Sequence, residues 1–217
     1  MLRKLSVASD AHDALYRAVE LEPNKVAPRH ALMTYYLVAP MIAGGSRARA
    51  QQQSEQIAKI DAAAGHAAHA RILLHDGDDQ AALSAYRRAF ELRPDRSAYR
   101  LQVGLLLQSF EHWGLAFAHF TDWSNADPGA TAAWYQLGRT AVLSAERTDM
   151  GIAALQRFLA LPEDVNDPHP TDAWFRLGQA YEQAGELIKS RHAHERALGL
   201  DPDNSAAAEA MANLPAQ

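Results

Sequence analysis

Small and large apolar residues recur along this chain at helical spacings, and one arrangement of them returns every 34 residues. It is plainest from Thr171. Trp174, Leu177 and Tyr181 take the fourth, seventh and eleventh places, Gly178 the eighth, Ser190 the twentieth, Ala197 the twenty-seventh and Pro202 the thirty-second. The stretch from Ser97 repeats it with Gly104, Ala116, Phe120 and Pro128. The stretch from Ala63 does so with Ala70, Gly77, Ala82, Tyr86, Ala89 and Pro94. Each stretch predicts two helices: the small residues let them approach closely, and the large ones fill the remaining space. The proline stops the second helix by removing an amide donor and restricting the residue before it. No period-two run of β-branched residues appears, so the whole chain is expected to be helical, with eleven or twelve helices.

Other stretches depart from the pattern. The one from Thr131 fits after one extra residue in the Ala145–Met150 turn and a longer exit, Glu163–Pro170. Residues 25–62 fit with an expanded turn from Ala39 to Ser46, and Ala11, Leu15, Ala18 and Pro23 match only a second helix. Trp123 and Phe158 fill the usually small twenty-seventh place, and His194 the twenty-fourth; the two large residues should push neighbouring units apart or change the pitch locally. The expected organisation is one domain over 1–217. It comprises a partial unit 1–24, units 25–62, 63–96, 97–130, 131–170 and 171–204, and a capping helix 205–217. Asn204 should cap that last helix and turn Met211 and Leu214 inward. The chain is expected to begin part-way through a longer repeat array.

These residues resemble the tetratricopeptide repeat, a 34-residue helix–turn–helix unit. The resemblance implies an all-α, right-handed α-solenoid of antiparallel helix pairs, about five units and a capping helix. A narrower likeness is to a group of bacterial tetratricopeptide proteins. It rests on Tyr35-Tyr36-Leu37, Ala39-Pro40, Ala43-Gly44-Gly45-Ser46, Leu137-Gly138-Arg139-Thr140-Ala141, the Pro-rich exit and Arg176-Leu177-Gly178-Gln179. Members of that group often carry a signal peptide and a further upstream repeat. The compartment expected is therefore cytoplasmic as the chain stands, and periplasmic if a signal peptide has been removed.

The resemblance further implies that the first (A) helix of each unit lines a concave groove with its second, fifth, ninth, twelfth and thirteenth residues. The candidate partner-binding residues are Arg29, Met33, Tyr36, Arg71, His75, Leu105, Gln108, Tyr135, Arg139, Phe175, Gln179 and Glu182. Leu37, Leu74, Leu101, Val142 and Leu143 share these positions, although Leu101, Leu105 and Val142 could equally pack against neighbouring helices. An apolar floor bearing arginines suits an extended peptide, or a helix carrying carboxylates. The Lys/Asn pattern by which some such domains clamp a C-terminal carboxylate is missing: Arg29 is followed by Met33, and Ala68 stands where Asn is required.

Composition narrows the functional classes. With 48% apolar and 22% charged residues the chain has material for a packed core. Having no cysteine, it can form neither disulfides nor thiolate sites. No run of apolar residues is long enough to span a membrane, and the net charge of −5 argues against a nucleic-acid partner. That charge is uneven: residues 1–110 carry a net +3 and the remainder −8, an asymmetry that could drive head-to-tail association.

Candidate chemistry is sparse. His66 and His69 share a helix face, but two ligands are too few for a metal, and His112, His119, His192 and His194 converge no better. Gly44-Gly45-Ser46 lacks the strand and the Lys-Ser/Thr of a phosphate loop and reads as a turn with Ser46 as N-cap. No nucleophile elbow occurs, and Asp78-Asp79 lies in a turn that favours capping over acid–base work. Trp134 and Trp174 hold core positions, whereas Trp113, following a turn, is a candidate contact residue. The expectation is a non-enzymatic scaffold without cofactors that binds a protein or peptide; the alternative is a structural subunit that self-associates, or stacks in a larger complex, through its terminal repeats.

Overall fold

A computed structural model describes residues 2–162 and 168–215, with side chains from residue 10 onward. Among the described residues are twelve α-helices and no strand: α1 (Leu2–Leu21), α2 (Val26–Val38), α3 (Arg47–Ile60), α4 (Ala62–Asp76), α5 (Asp79–Leu92), α6 (Ser97–Ser109), α7 (Trp113–Ala126), α8 (Thr131–Ser144), α9 (Thr148–Ala160), α10 (Pro170–Gln183), α11 (Leu187–Leu200) and α12 (Ser205–Asn213). One 3-10 turn, Met41–Ala43, lies between α2 and α3. The residues divide into two compact units, Met1–Leu106 and Leu107–Gln217, with the division falling inside α6. Most of the 163–170 exit lies outside the described residues.

In the first unit α1 packs on α2, α2 on α3, α3 on α4 and α4 on α5. Leu32, Met33, Tyr36, Ala50, Ile57, Ala68 and Ile72 form a core against which Leu15 and Val19 of α1 pack. Ala70, Ala82 and Ala89, the small repeat positions, are fully buried. Gly65 brings α3 and α4 closer still, since a β-carbon there would meet that of Ala58 at 2.4 Å. Helix starts are set by side chains that accept from otherwise unpaired amides: Ser46 from Arg49 N, Asp61 from Ala64 N and Asp78 from Ala81 N. The expanded turn closes on itself. Gly45 N donates to Pro40 O at 3.1 Å, Ser46 N to Tyr36 O at 2.8 Å and the Tyr35 hydroxyl to Ala43 O, while Gly44 adopts φ 88°.

In the second unit α7 packs on α8, α8 on α9, α9 on α10, α10 on α11 and α11 on α12. Tyr135, Leu155, Phe158, Ala173, Leu177, Tyr181 and Ala193 share a core flanked by Trp134 and Trp174, both half-buried. The eighth and twenty-fourth repeat positions face one another: a β-carbon at Gly138 would lie 2.3 Å from Leu155 Cγ, and one at Gly178 2.4 Å from His194 Cε1. The extra residue near Ala145 is taken up by left-handed backbone at Ala145 (φ 55°) and Arg147 (φ 51°), whose guanidinium sits 4.7 Å from the Phe117 ring centre. Asn204 caps α12 by accepting from Ala207 N at 3.0 Å, and Met211 and Leu214 are half-buried.

Candidate functional site

The residues read from the sequence as groove-lining separate into those that carry the fold and those that present chemistry. In the first unit Met33 is fully buried and Tyr36 only 5% exposed. Neither lines a surface, because α1 lies over this part of α2 and His12 Nε2 bonds the Tyr36 hydroxyl at 3.2 Å. Arg29 is tied down locally, donating to Pro23 O at 3.0 Å and Gln53 Oε1 at 3.3 Å. His75 is exposed beside Asp76, 3.6 Å away, and Leu105 is half-buried.

Arg71 is different. It lines a pocket of about 460 Å³ with His30, Leu74, Tyr86, Tyr99 and Gln102. These side chains come from α2, α4, α5 and α6. Arg71 is exposed, and among the described residues it forms no ion pair. Burial, with the charge of Arg71 adding to it, holds His30 below the usual imidazole range, so this ring is uncharged at neutral pH. Burial likewise pushes the Tyr86 and Tyr99 phenols up, keeping both as neutral hydroxyl groups. The pocket therefore holds one cation among neutral donors and acceptors.

In the second unit Gln108 is 3% exposed, so it supports a surface rather than forming one. Its Nε2 donates to Thr140 Oγ1 at 2.8 Å and to Gln136 O at 3.2 Å, and its Oε1 accepts from the Arg139 guanidinium. Tyr135 is 8% exposed, with its ring 5.4 Å from that of Phe158 and its phenol pushed up by burial. Phe175 is half-buried against His194, at 5.6 Å between ring centres. The carboxylate of Glu182 turns inward, 2.7 Å from His194 Nε2 and 3.2 Å from the Ser190 hydroxyl, and so is engaged internally. Arg139 is half-buried; burial, and then the nearby charge of Arg176, lower its pKa. Gln179 accepts from Arg176 at 3.0 Å.

Sequence reasoning missed His30, Gln102 and Arg176. All three occupy the sixth place of their units, three residues before the ninth and hence on the same stripe of the A helix. That spacing was the available signal. Trp113 is half-buried, and among the described residues no group of three or more His, Asp or Glu is placed to hold a metal.

The family model for the tetratricopeptide repeat matches residues 63–96 and 171–204. These two stretches are tetratricopeptide repeats, formed by α4 with α5 and by α10 with α11. The general transcriptional corepressor ssn6 of Schizosaccharomyces pombe is 25% identical over 126 residues, 58% of this chain but 11% of that protein, so the likeness spans about a tenth of the relative's length. Among solved structures, YrrB, a tetratricopeptide protein with an unusual peptide-binding site, has a TM-score of 0.60 at 16% identity, covering 92% of this chain and 98% of that one. MamA from Desulfovibrio magneticus RS-1, residue 41 onward, also scores 0.60, at 19% identity over 82% and 97%. The Cut9–Hcn1 complex of APC/C scores 0.67 at 19% identity, over 98% of this chain and 39% of that one. These likenesses show the shared fold.

Proposed function

We propose that this protein is a non-enzymatic protein–protein interaction scaffold whose A-helix faces hold an extended peptide segment of a partner. The observation that carries the reading is the state of Arg71 and Arg139. Both occupy the ninth place of their repeats, and among the described residues neither guanidinium is neutralised by a carboxylate. A guanidinium offers a planar fork of donors that suits the polar groups of a peptide, and helices already packed lose little further freedom on binding. The tetratricopeptide fold implies protein partners, and YrrB, alike in fold, has a peptide-binding site. No helix among the described residues is long and apolar enough to cross a membrane, and the net charge of −5 disfavours nucleic acid as the partner.

The test is quantitative capture from a lysate of the native host with wild type and with Arg71→Glu/Arg139→Glu, after circular dichroism has established equal helicity. The expected result is a partner enriched by wild type and lost from the double variant. A partner held equally by both would overturn the reading and move function to the terminal repeats.

A further inference from the structure

A hollow of about 620 Å³ opens between α9 and α11, the second helices of two successive pairs, over α10. Leu177 and Tyr181 of α10 and Ala193 of α11, all buried, form its floor. The space exists because Ala160 and Ala193 line it with single methyl groups, where longer side chains would fill it.

Polar groups around the hollow are already engaged. The Tyr181 hydroxyl accepts from Gln156 Nε2 at 2.8 Å, and Lys189 pairs with Glu186 while its ammonium lies 5.5 Å from the Tyr181 ring centre. The Trp174 ring meets His192 edge-on, at 6.4 Å between ring centres, and the Arg196 guanidinium at 5.3 Å. An entering group meets mainly aliphatic and aromatic surface, which selects an apolar side chain.

Such a side chain stands on the same patch. Ile188, on the wall of the hollow, is 71% exposed, and Leu187 beside it 39%. Apolar side chains gathered at one place on a surface, rather than scattered, mark an association site. The charges match themselves in the same way: Glu186 and Lys189 flank these two residues, one of each sign. A two-fold axis passing between Leu187 and Ile188 sets Glu186 of each copy against the partner's Lys189, and each Ile188 beside the other copy's hollow. An isologous interface requires this, since one patch must complement itself.

We infer that two copies of this chain associate through α11, each Ile188 filling the hollow between α9 and α11 of the other. The occupant is a second copy because knob, hollow and both signs of charge lie together on one surface. That surface belongs to second helices, so the inference goes beyond the peptide-scaffold reading and stands or falls separately from it.

Sedimentation velocity and light scattering of the full chain, over roughly a hundredfold range of concentration, test it. Wild type is expected to pass from monomer to dimer and no further, because a two-fold contact closes. Ile188→Gln should weaken dimerisation about tenfold or more, since the side chain enters the interface twice. Ala160→Gln, which fills the hollow, should do likewise. Ile42→Gln, as exposed but on the 3-10 turn of the first unit, should change nothing. All three positions are exposed, so the fold itself is not at stake. Glu186→Lys and Lys189→Glu should each dimerise poorly alone yet associate when mixed, because mixing restores opposite charges across the interface. A change confined to one helix would not be rescued by mixing. A wild type that stays monomeric overturns the inference and leaves the hollow to a foreign segment. So does a dimer indifferent to Ile188→Gln and Ala160→Gln, one weakened as much by Ile42→Gln, or a pair of charge variants that fails to associate on mixing.

Discussion

The imidazole of His194 occupies the space that a side chain at Gly178 would need: a β-carbon there would lie 2.4 Å from His194 Cε1 and 2.6 Å from both ring nitrogens. The ring has little room to retreat. It is fully buried and anchored by the 2.7 Å contact between Nε2 and Glu182. The glycine and the histidine are thus a matched pair at the eighth and twenty-fourth repeat positions, in which the missing side chain accommodates the oversized one.

Gly178→Leu should therefore force the ring or one of the two helices aside. Overpacking of this kind costs roughly 1–3 kcal/mol, which for a chain of this size lowers the thermal midpoint by about 2–4 °C per kcal/mol. Thermal unfolding followed by circular dichroism checks it. An unchanged midpoint would mean that α10 and α11 do not pack through these two residues.

Ala145 is strained without any visible return. It is exposed, ends α8 at φ 55°, and as an L-residue in the left-handed region costs roughly 1–2 kcal/mol. Ala145→Gly relieves that strain but enlarges the freedom of the unfolded chain, leaving an expected gain of about 0.5–1 kcal/mol. Arg147→Gly should gain less, because it also removes the guanidinium over Phe117. Chemical denaturation of the two variants beside wild type decides; equal gains would deny the Arg147–Phe117 contact a role.

Arg47 Nε and Nη2 both donate to Asp76 Oδ2, at 2.9 and 2.6 Å, joining α3 to α4. This hydrogen bonding holds the Asp76 carboxyl below its usual range. A carboxyl whose pKa is lower folded than unfolded adds stability above the unfolded value and loses it as pH falls through the folded one. Asp76→Asn should accordingly lose less stability than wild type between about pH 5 and pH 2. Midpoints measured across that range should give the variant the shallower slope; parallel curves would show that the pair does not report on folding.

Much of this fold can be read from the sequence because its helices meet through residues of extreme size. Gly138 against Leu155 and Gly178 against His194 leave a periodic mark that survives changes elsewhere. Surface chemistry leaves a weaker one. Met33 and Tyr36 hold groove positions by register but are covered by α1, whose cover depends on tertiary packing rather than on their own spacing. Gln108 reads as a polar groove residue, yet it is interior, its side-chain amide nitrogen donating two hydrogen bonds to α8. Arg176 is visible in the sequence only within the Arg176-Leu177-Gly178-Gln179 likeness, although its sixth place lies one turn before the ninth and shares its stripe.

Amide hydrogen exchange, with and without the partner captured by wild type, shows whether that partner lies on the A-helix faces around Arg71 and around Arg139. Binding should slow exchange in α4 and α6 about Arg71, Tyr99 and Gln102, and in α8 and α10 about Arg139 and Arg176, while α9 and α11 exchange as before. Protection confined to α1, to α12 or to the second helices of the pairs would contradict the account and assign binding to the ends or to the opposite face.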